Sequence, residues 1–256
     1  MIELNSLTKT FNKSQNLLKG FLKKSLDSTI TAVDQISFQC QPGRIFGLIG
    51  PNGAGKTTTL RMIATMLKPT TGSISVGGFD TIKNPIEVRR KLGFLSGNTG
   101  LYDRLTADEM VKYYADLHGM DSTKYQSKRD EIFQILDMNE FAHRRIGKLS
   151  TGMKQKVSIA RTIIHDPDVV VFDEPTTGLD VITSKNIVEL IKRCKNEGKT
   201  VIFSTHRFGE LKLLCDDLAI IHNGRIYYQG TYELFEKNMK ADTLEEEFIR
   251  LVGEIS

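Results

Sequence analysis

Eight consecutive residues, Gly50, Pro51, Asn52, Gly53, Ala54, Gly55, Lys56 and Thr57, occupy every fixed position of the phosphate-binding pattern G-x-x-x-x-G-K-[ST]. The chemistry follows from the residue types. Glycines let the backbone take conformations closed to other residues, so successive N–H groups can turn inward and wrap a phosphate chain. A helix starting directly afterwards adds the positive end of its dipole. Lys56 can reach the β- and γ-phosphates, the Thr57 hydroxyl is placed to hold magnesium, and Thr58 is counted with the same binding set.

Two further segments supply groups that chemistry on a triphosphate would need. Val169, Val170, Val171 and Phe172 form an apolar run ending in Asp173 and Glu174, the pattern of a buried parallel strand that delivers two carboxylates at its C-terminal edge. Asp173 is expected to orient magnesium and Glu174 to polarise water. A second strand, read over residues 199–205, is followed by His206. Ligands of open α/β sheets sit outside the carboxyl ends of the strands, and the phosphate loop, both carboxylates and His206 map to that edge. An isolated acid pair is usually solvated surface and a lone histidine usually structural, so it is the shared position that points to catalysis.

The elements around these residues read as follows. Arg44, Ile45, Phe46, Gly47, Leu48 and Ile49 make a short buried strand before the loop, and Leu60, Ile63, Ala64 and Leu67 predict a helix over residues 58–66. Alternating apolar residues such as Ile2, Leu4, Val33, Ile36 and Phe38 predict antiparallel strands in residues 1–11 and 31–41, with another at residues 73–76. The periodicity turns helical between Leu105 and Ile164, through Met110, Val111, Tyr114 and Leu117, then Ile132, Phe133, Ile135 and Leu136. Ser150 is placed to cap a helix carrying Val157, Ile159, Ala160, Ile163 and Ile164. Asn223 and Gly224 between two apolar runs predict a hairpin, and Leu244, Phe248, Leu251 and Val252 share one face of a last helix.

The predicted fold class is therefore α/β: a P-loop NTPase core with a mostly parallel sheet, an N-terminal antiparallel β-subdomain and an inserted α-helical subdomain. The expected division is an ATPase domain over residues 1–235, its helical subdomain at about 97–160, and a helical tail over residues 236–256.

Composition narrows the function. At 256 residues there is room for one such module and not for two nucleotide-binding halves. Thirty-five Lys and Arg against 31 Asp and Glu leave a formal charge of +4, too small an excess to argue for nucleic acid or an anionic membrane. Cys40, Cys194 and Cys215 are odd in number and lack CxxC spacing, which fits a reducing cytosol and no zinc site. No run approaches the roughly 18 apolar residues of a membrane helix, and the start lacks the blocks of a secretory signal, so a soluble chain is expected.

With Leu149, Ser150, Thr151, Gly152 and Met153, with Gly178, Leu179 and Asp180, and with Ser204, Thr205 and His206, the sequence resembles the nucleotide-binding subunit of an ABC transporter over roughly residues 1–235. The signature segment reads Leu-Ser-Thr-Gly-Met where the common form is Leu-Ser-Gly-Gly-Gln, so Thr151 and Met153 depart from the pattern. Residues 93–102 are most similar to the ATP-binding subunit of bacterial sodium-export systems. The resemblance implies an ATPase that uses magnesium and powers a separate integral-membrane permease, in export more than import, from the cytoplasmic face of the membrane.

It also implies a head-to-tail dimer, expected to be a homodimer. Each ATP would lie between the phosphate loop of one chain and Ser150, Thr151, Gly152 and Met153 of the other. Asp180 would belong to the loop crossing the seam, His206 would contact the γ-phosphate, and Phe11 would stack on adenine or else be a satellite core aromatic. At the family's usual magnesium-touching glutamine stands Gly97, with Asn98 beside it as a shorter amide that could substitute.

Two questions stay open at this level. Leu17, Leu18, Phe21, Leu22 and Leu26, with Lys13, Lys19, Lys23 and Lys24, make either an amphipathic element resting on lipid or permease, or a long surface loop. The loop is preferred because the segment is short and interrupted by Gly20. The competing function is a non-transport ABC ATPase acting on ribosomes or nucleic acid. Such proteins commonly carry two ATPase halves or long coiled-coil insertions, and neither is found here. A GTPase or small-molecule kinase would leave the Leu149 to Met153 segment unexplained, and no Asn-Lys-x-Asp tetrapeptide occurs.

Overall fold

The computed structural model describes residues 1–12, 29–96 and 100–253. Along the chain these form β1 (Ile2–Asn12), β2 (Thr29–Cys40), β3 (Ile45–Ile49), α1 (Lys56–Ile63), β4 (Thr71–Val76), β5 (Phe79–Asp80), α2 (Pro85–Lys91) and β6 (Leu92–Leu95). There follow α3 (Ala107–Leu117), α4 (Ser122–Ile135), α5 (Thr151–Ile163), β7 (Val169–Asp173), α6 (Val181–Asn196), β8 (Thr200–Thr205) and α7 (Gly209–Leu214). The chain ends with β9 (Asp217–His222), β10 (Arg225–Thr231), α8 (Tyr232–Asn238) and α9 (Leu244–Gly253).

Strands β2, β1, β4 and β5 form an antiparallel sheet in that order. Ile2 lies opposite Cys40 and Val76, and Leu4 opposite Phe38 and Ile74, so the alternate residues share one buried face. Strict alternation would turn Leu7 and Val33 outward, since each sits three residues from an inward neighbour. Instead the register shifts beside Ser6 (φ 46°) and Gln35 (φ 51°), and bulges there return Leu7 and Val33 to the core.

The second sheet runs β10-β9-β3-β8-β7-β6, parallel except for the β9–β10 hairpin. Its central strands are apolar at nearly every position because both faces are covered. Val169 and Val171 face α1 and the antiparallel sheet, while Val170 and Phe172 face the helices α3, α5 and α6. Phe172 and Phe203 are fully buried side by side in adjacent strands, each contributing roughly 1.5–3 kcal/mol. Side chains anchored that firmly set where the strand ends lie. Ile49 is level with Thr205 and Asp173 with Ser204, so the segments following β3, β7 and β8 leave the sheet at one edge.

Helices α3, α4 and α5 each start at a capping side chain. Thr106 and Glu109 make a reciprocal capping box, Asp121 accepts the N–H groups of Thr123 and Lys124, and Ser150 accepts that of Met153. Leu117, expected on the apolar face, is the last residue of α3 and 63 % exposed, because the chain turns away at Gly119 (φ 68°). The helix expected over residues 58–66 begins earlier and stops at Ile63. Thr65 takes a left-handed φ of 61°, and Met66 N–H donates back to Arg61 O, which closes the turn. Asn223 (φ 46°) and Gly224 (φ 78°) make the β9–β10 turn with both residues left-handed, as an Asn-Gly hairpin demands.

Candidate functional site

The phosphate loop leaves β3 at Gly50, where a Cβ would lie 2.1 Å from the Ile221 carbonyl oxygen, a contact no side chain tolerates. Gly55 combines a φ of 109° with the Ala32 carbonyl 2.5 Å from its own Cβ position. Between them Gly53, at φ 81°, faces open space. The loop is braced from outside by the hairpin tip, where Gly224 N–H donates to Ala54 O at 2.9 Å. Lys56 opens α1 and is 4 % exposed; its ammonium donates to Gly50 O at 2.7 Å and Pro51 O at 3.1 Å. It also lies 3.3 Å from Glu174 Oε1. The cleft above the loop is lined by Ala32, Glu174 and residues 52–58.

Asp173 ends β7 and Glu174 follows it, and of the two only Glu174 lines the cleft. Asp173, 5 % exposed, accepts from Thr57 Oγ1 at 3.1 Å and Ser204 Oγ at 2.7 Å through Oδ1. A carboxylate against a threonine hydroxyl is the hard-oxygen donor set that magnesium takes. Glu174 sits at φ 50°, a left-handed conformation that costs a non-glycine residue roughly 1–2 kcal/mol. Its N–H donates to Ser204, and its Oε2 accepts from Thr177 Oγ1 at 3.2 Å. His206 Nδ1 is also 3.2 Å from Oε2, close as an ion pair but without the alignment of a hydrogen bond. Partial burial alone would raise the Glu174 pKa, but the Lys56 charge and the neighbouring His206 outweigh it. Its carboxyl is thus held below the usual glutamate range, an ionised acceptor at neutral pH.

Ser150, Thr151, Gly152 and Met153 belong to a second cluster. Ser150 Oγ caps α5 through Met153 N–H at 3.2 Å, and Thr151 is exposed. The Cβ position of Gly152 lies 3.5 Å from Thr183 Oγ1 and 3.8 Å from Asp180 Oδ2, which places the starts of α5 and α6 together. Asp180 caps α6, accepting Thr183 N–H at 2.9 Å and Thr183 Oγ1 at 2.8 Å, and these bonds keep its carboxyl below the ordinary aspartate range. Gln155 of α5 donates to Pro175 O at 3.0 Å and ties this cluster to the segment after Glu174. Among the described residues none of the four at 150–153 lines the cleft over the phosphate loop.

Phe11 is 39 % exposed with the Lys9 ammonium 5.1 Å above its ring, so it is not a core aromatic. It pairs with Ile30, two residues before the cleft-lining Ala32. Gly97 and Asn98 lie outside the described residues, as does the Lys13 to Leu26 stretch weighed as an amphipathic element. Ala32 and Thr177 carry no local sequence signal for a place at this site, whereas Ser204 belongs to the Ser204-Thr205-His206 motif and Gly224 to the Asn-Gly hairpin signal, with no role at the site expected for either.

Residues 33–177 match the family model described as ABC transporter, a span that begins in β2 and takes in the phosphate loop, the Ser150 segment and Glu174. The chain belongs to the ABC transporter family. This ABC ATPase is 40 % identical over 258 aligned positions to the ABC transporter ATP-binding protein NatA of Bacillus subtilis (strain 168), covering 100 % of each chain. Among solved structures it resembles an ATP-binding subunit of an ABC transporter, with a TM-score of 0.83, 25 % identity and coverage of 98 % and 99 %. It is also similar, with a TM-score of 0.78, 25 % identity and coverage of 90 % and 98 %, to the ATP-binding cassette MJ0796 in a dimeric post-hydrolysis state bound to ADP and Pi. ATP is accordingly the substrate of this ABC-type ATPase, and the fold is that of the family's nucleotide-binding subunit.

Proposed function

We propose that two copies of this chain clasp ATP head to tail and that hydrolysis drives a separate membrane permease in export, moving sodium or another small cargo. The reading places the subunit at the cytoplasmic face of the membrane, held there by the permease. Among the described residues no helix is long and apolar enough to cross a membrane. The observation that carries the catalytic part is the meeting of three strand ends, where Thr57 touches Asp173 and Glu174 lies between Lys56 and His206.

Residues 50–58 would cradle the phosphates, with Lys56 exchanging its carbonyl partners for phosphate oxygens. Thr57 and Asp173 would hold magnesium, with Asn98 completing the donors. The ion, when bound, offsets the phosphate charge. Glu174, ionised and strained toward the cleft, takes the proton of the attacking water or orients it, and His206 meets the γ-phosphate. Phe11 stacks on adenine. The separation of the Ser150 cluster from the cleft supports the head-to-tail pairing, since residues 150–153 and Asp180 are left to meet a twin molecule's nucleotide. The dimeric state in which the related cassette MJ0796 was solved supports it as well. Sodium rests on the resemblance of residues 93–102 to sodium-export systems.

The test is Glu174→Gln. It is expected to bind ATP as the wild type does, to hydrolyse it at least about 100-fold more slowly, and to accumulate as an ATP-bound dimer of twice 28.8 kDa by light scattering. Wild-type turnover would show the base to be misassigned.

A further inference from the structure

We propose that Glu210 is a positioning residue for hydrolysis, a carboxylate that ties together the two strand ends carrying Glu174 and His206. The inference rests on the assignment of those two residues above. Glu210 is the second residue of α7 and 7 % exposed, and its two oxygens face different segments. Oε1 accepts from Thr176 Oγ1 at 2.5 Å, two residues beyond Glu174. Oε2 accepts from Thr205 Oγ1 at 2.8 Å, one residue before His206. Both threonines are 2 % exposed, so neither hydroxyl has water as a substitute partner.

Charge and strain agree with that role. A buried carboxylate needs pairing, and Arg207 supplies it with a guanidinium 3.3 Å from Oε1, while the Arg207 N–H donates to Thr205 Oγ1 at 3.0 Å. The backbone at Glu174 is held in a conformation that persists only where the surroundings over-determine it. Ser204 grips its N–H, Gln155 grips the Pro175 carbonyl on one side, and Glu210 grips Thr176 on the other. Release of the last grip frees the Glu174 segment and the His206 segment to move apart, and the 3.2 Å approach of the two side chains goes with it. Misplacement of reacting groups by about 1 Å costs on the order of 100-fold in rate.

The experiment is steady-state ATP hydrolysis by the purified full chain with Glu210→Ala, Glu210→Asp and Glu210→Gln. Glu210→Ala is expected to lower kcat by about 10-fold or more with KM for ATP within about 2-fold. Glu210→Asp keeps the charge but is too short to span both hydroxyls, and is expected to behave like the alanine variant. Glu210→Gln offers one acceptor and one donor to hydroxyls that can play either part, so it is expected to restore kcat to within about 3-fold of wild type. Wild-type kcat in the alanine or aspartate variant overturns the proposal, as does a glutamine variant no better than alanine, or a loss shared equally by KM. Should Glu210→Ala fail to fold, Thr176→Val removes one half of the tie with little change in volume, and a wild-type kcat there overturns it too. Glu174→Gln run in parallel separates the two readings. Slow hydrolysis by Glu174→Gln with normal Glu210→Ala defeats only the tie, and normal hydrolysis by Glu174→Gln defeats the assignment beneath it.

Discussion

At the scale of single residues, the phosphate loop uses two of its glycines, Gly50 and Gly53, differently. Gly50 is excluded from bearing a side chain by a neighbouring strand, whose Ile221 carbonyl would lie 2.1 Å from the added carbon. Gly53 is constrained only by its own φ of 81°, with nothing near it. Gly50→Ala must therefore push the loop off β9, at a cost of roughly 1–3 kcal/mol, and is expected to abolish ATP binding in calorimetry. Gly53→Ala meets no neighbour and carries only left-handed strain of roughly 1–2 kcal/mol, so it is expected to bind ATP more weakly but measurably. Equal affinity for the two variants would show that the Ile221 contact does not shape the loop.

Among the secondary-structure elements, those with a strong period were legible and those built on few residues were not. β7 reads from its sequence because four apolar residues run into two acids, and α5 because Ser150 precedes a helical apolar stripe. α7 is six residues long, too short for periodicity to register, and Glu210 went unnoticed with it. α9 is visible as an apolar face, and Leu244, Phe248 and Leu251 do pack against the buried cluster of Ile49, Leu211, Leu218, Ile220 and Phe235, with the Phe248 ring 5.4 Å from that of Phe208. What docks its start was hidden. Glu247, 2 % exposed, accepts the N–H groups of Lys240 and Ala241 and binds Arg250. The Arg250 bonds, then the two amides, overcome burial and lower its pKa from 4.5 to about 2. A depressed carboxyl stabilises the fold above its ordinary pKa and loses that contribution as pH falls through the folded value. Glu247→Gln is accordingly expected to melt a few degrees below wild type above pH 4.5, and the gap to close as pH falls towards 2. A gap that stays constant from pH 6 to pH 3 would contradict the assignment.

For the whole molecule, the proposed pairing makes a prediction that no single chain can satisfy. If each ATP takes its phosphate loop from one subunit and its Ser150 segment from the other, then Lys56→Ala and Ser150→Arg damage opposite halves of a site. Each variant alone is expected to lose nearly all hydrolysis. Mixed in equal amounts they form pairs with one intact site, built from the loop of the Ser150→Arg chain and the Ser150 segment of the Lys56→Ala chain. Recovery of a substantial fraction of wild-type turnover on mixing supports head-to-tail assembly, and no recovery in a mixture shown to dimerise argues against it.

The sequence by itself determined the chemistry, because phosphate binding depends on residues adjacent in the chain. Three glycines, a lysine and a threonine in eight positions, followed by a helix, specify a polyphosphate cradle wherever they fold. It also determined which strands are buried on both faces, since that is written in unbroken apolar runs such as Val169 to Phe172. Only the tertiary structure decided how the pieces meet. The Ile221 carbonyl that excludes a side chain at Gly50 lies 171 positions away in the chain, and the carboxylate of Glu210 joins residues 176 and 205. Such contacts have no local period or motif. They arise when parallel strands align their ends, and the alignment is set by packing across the sheet rather than by neighbours along the chain.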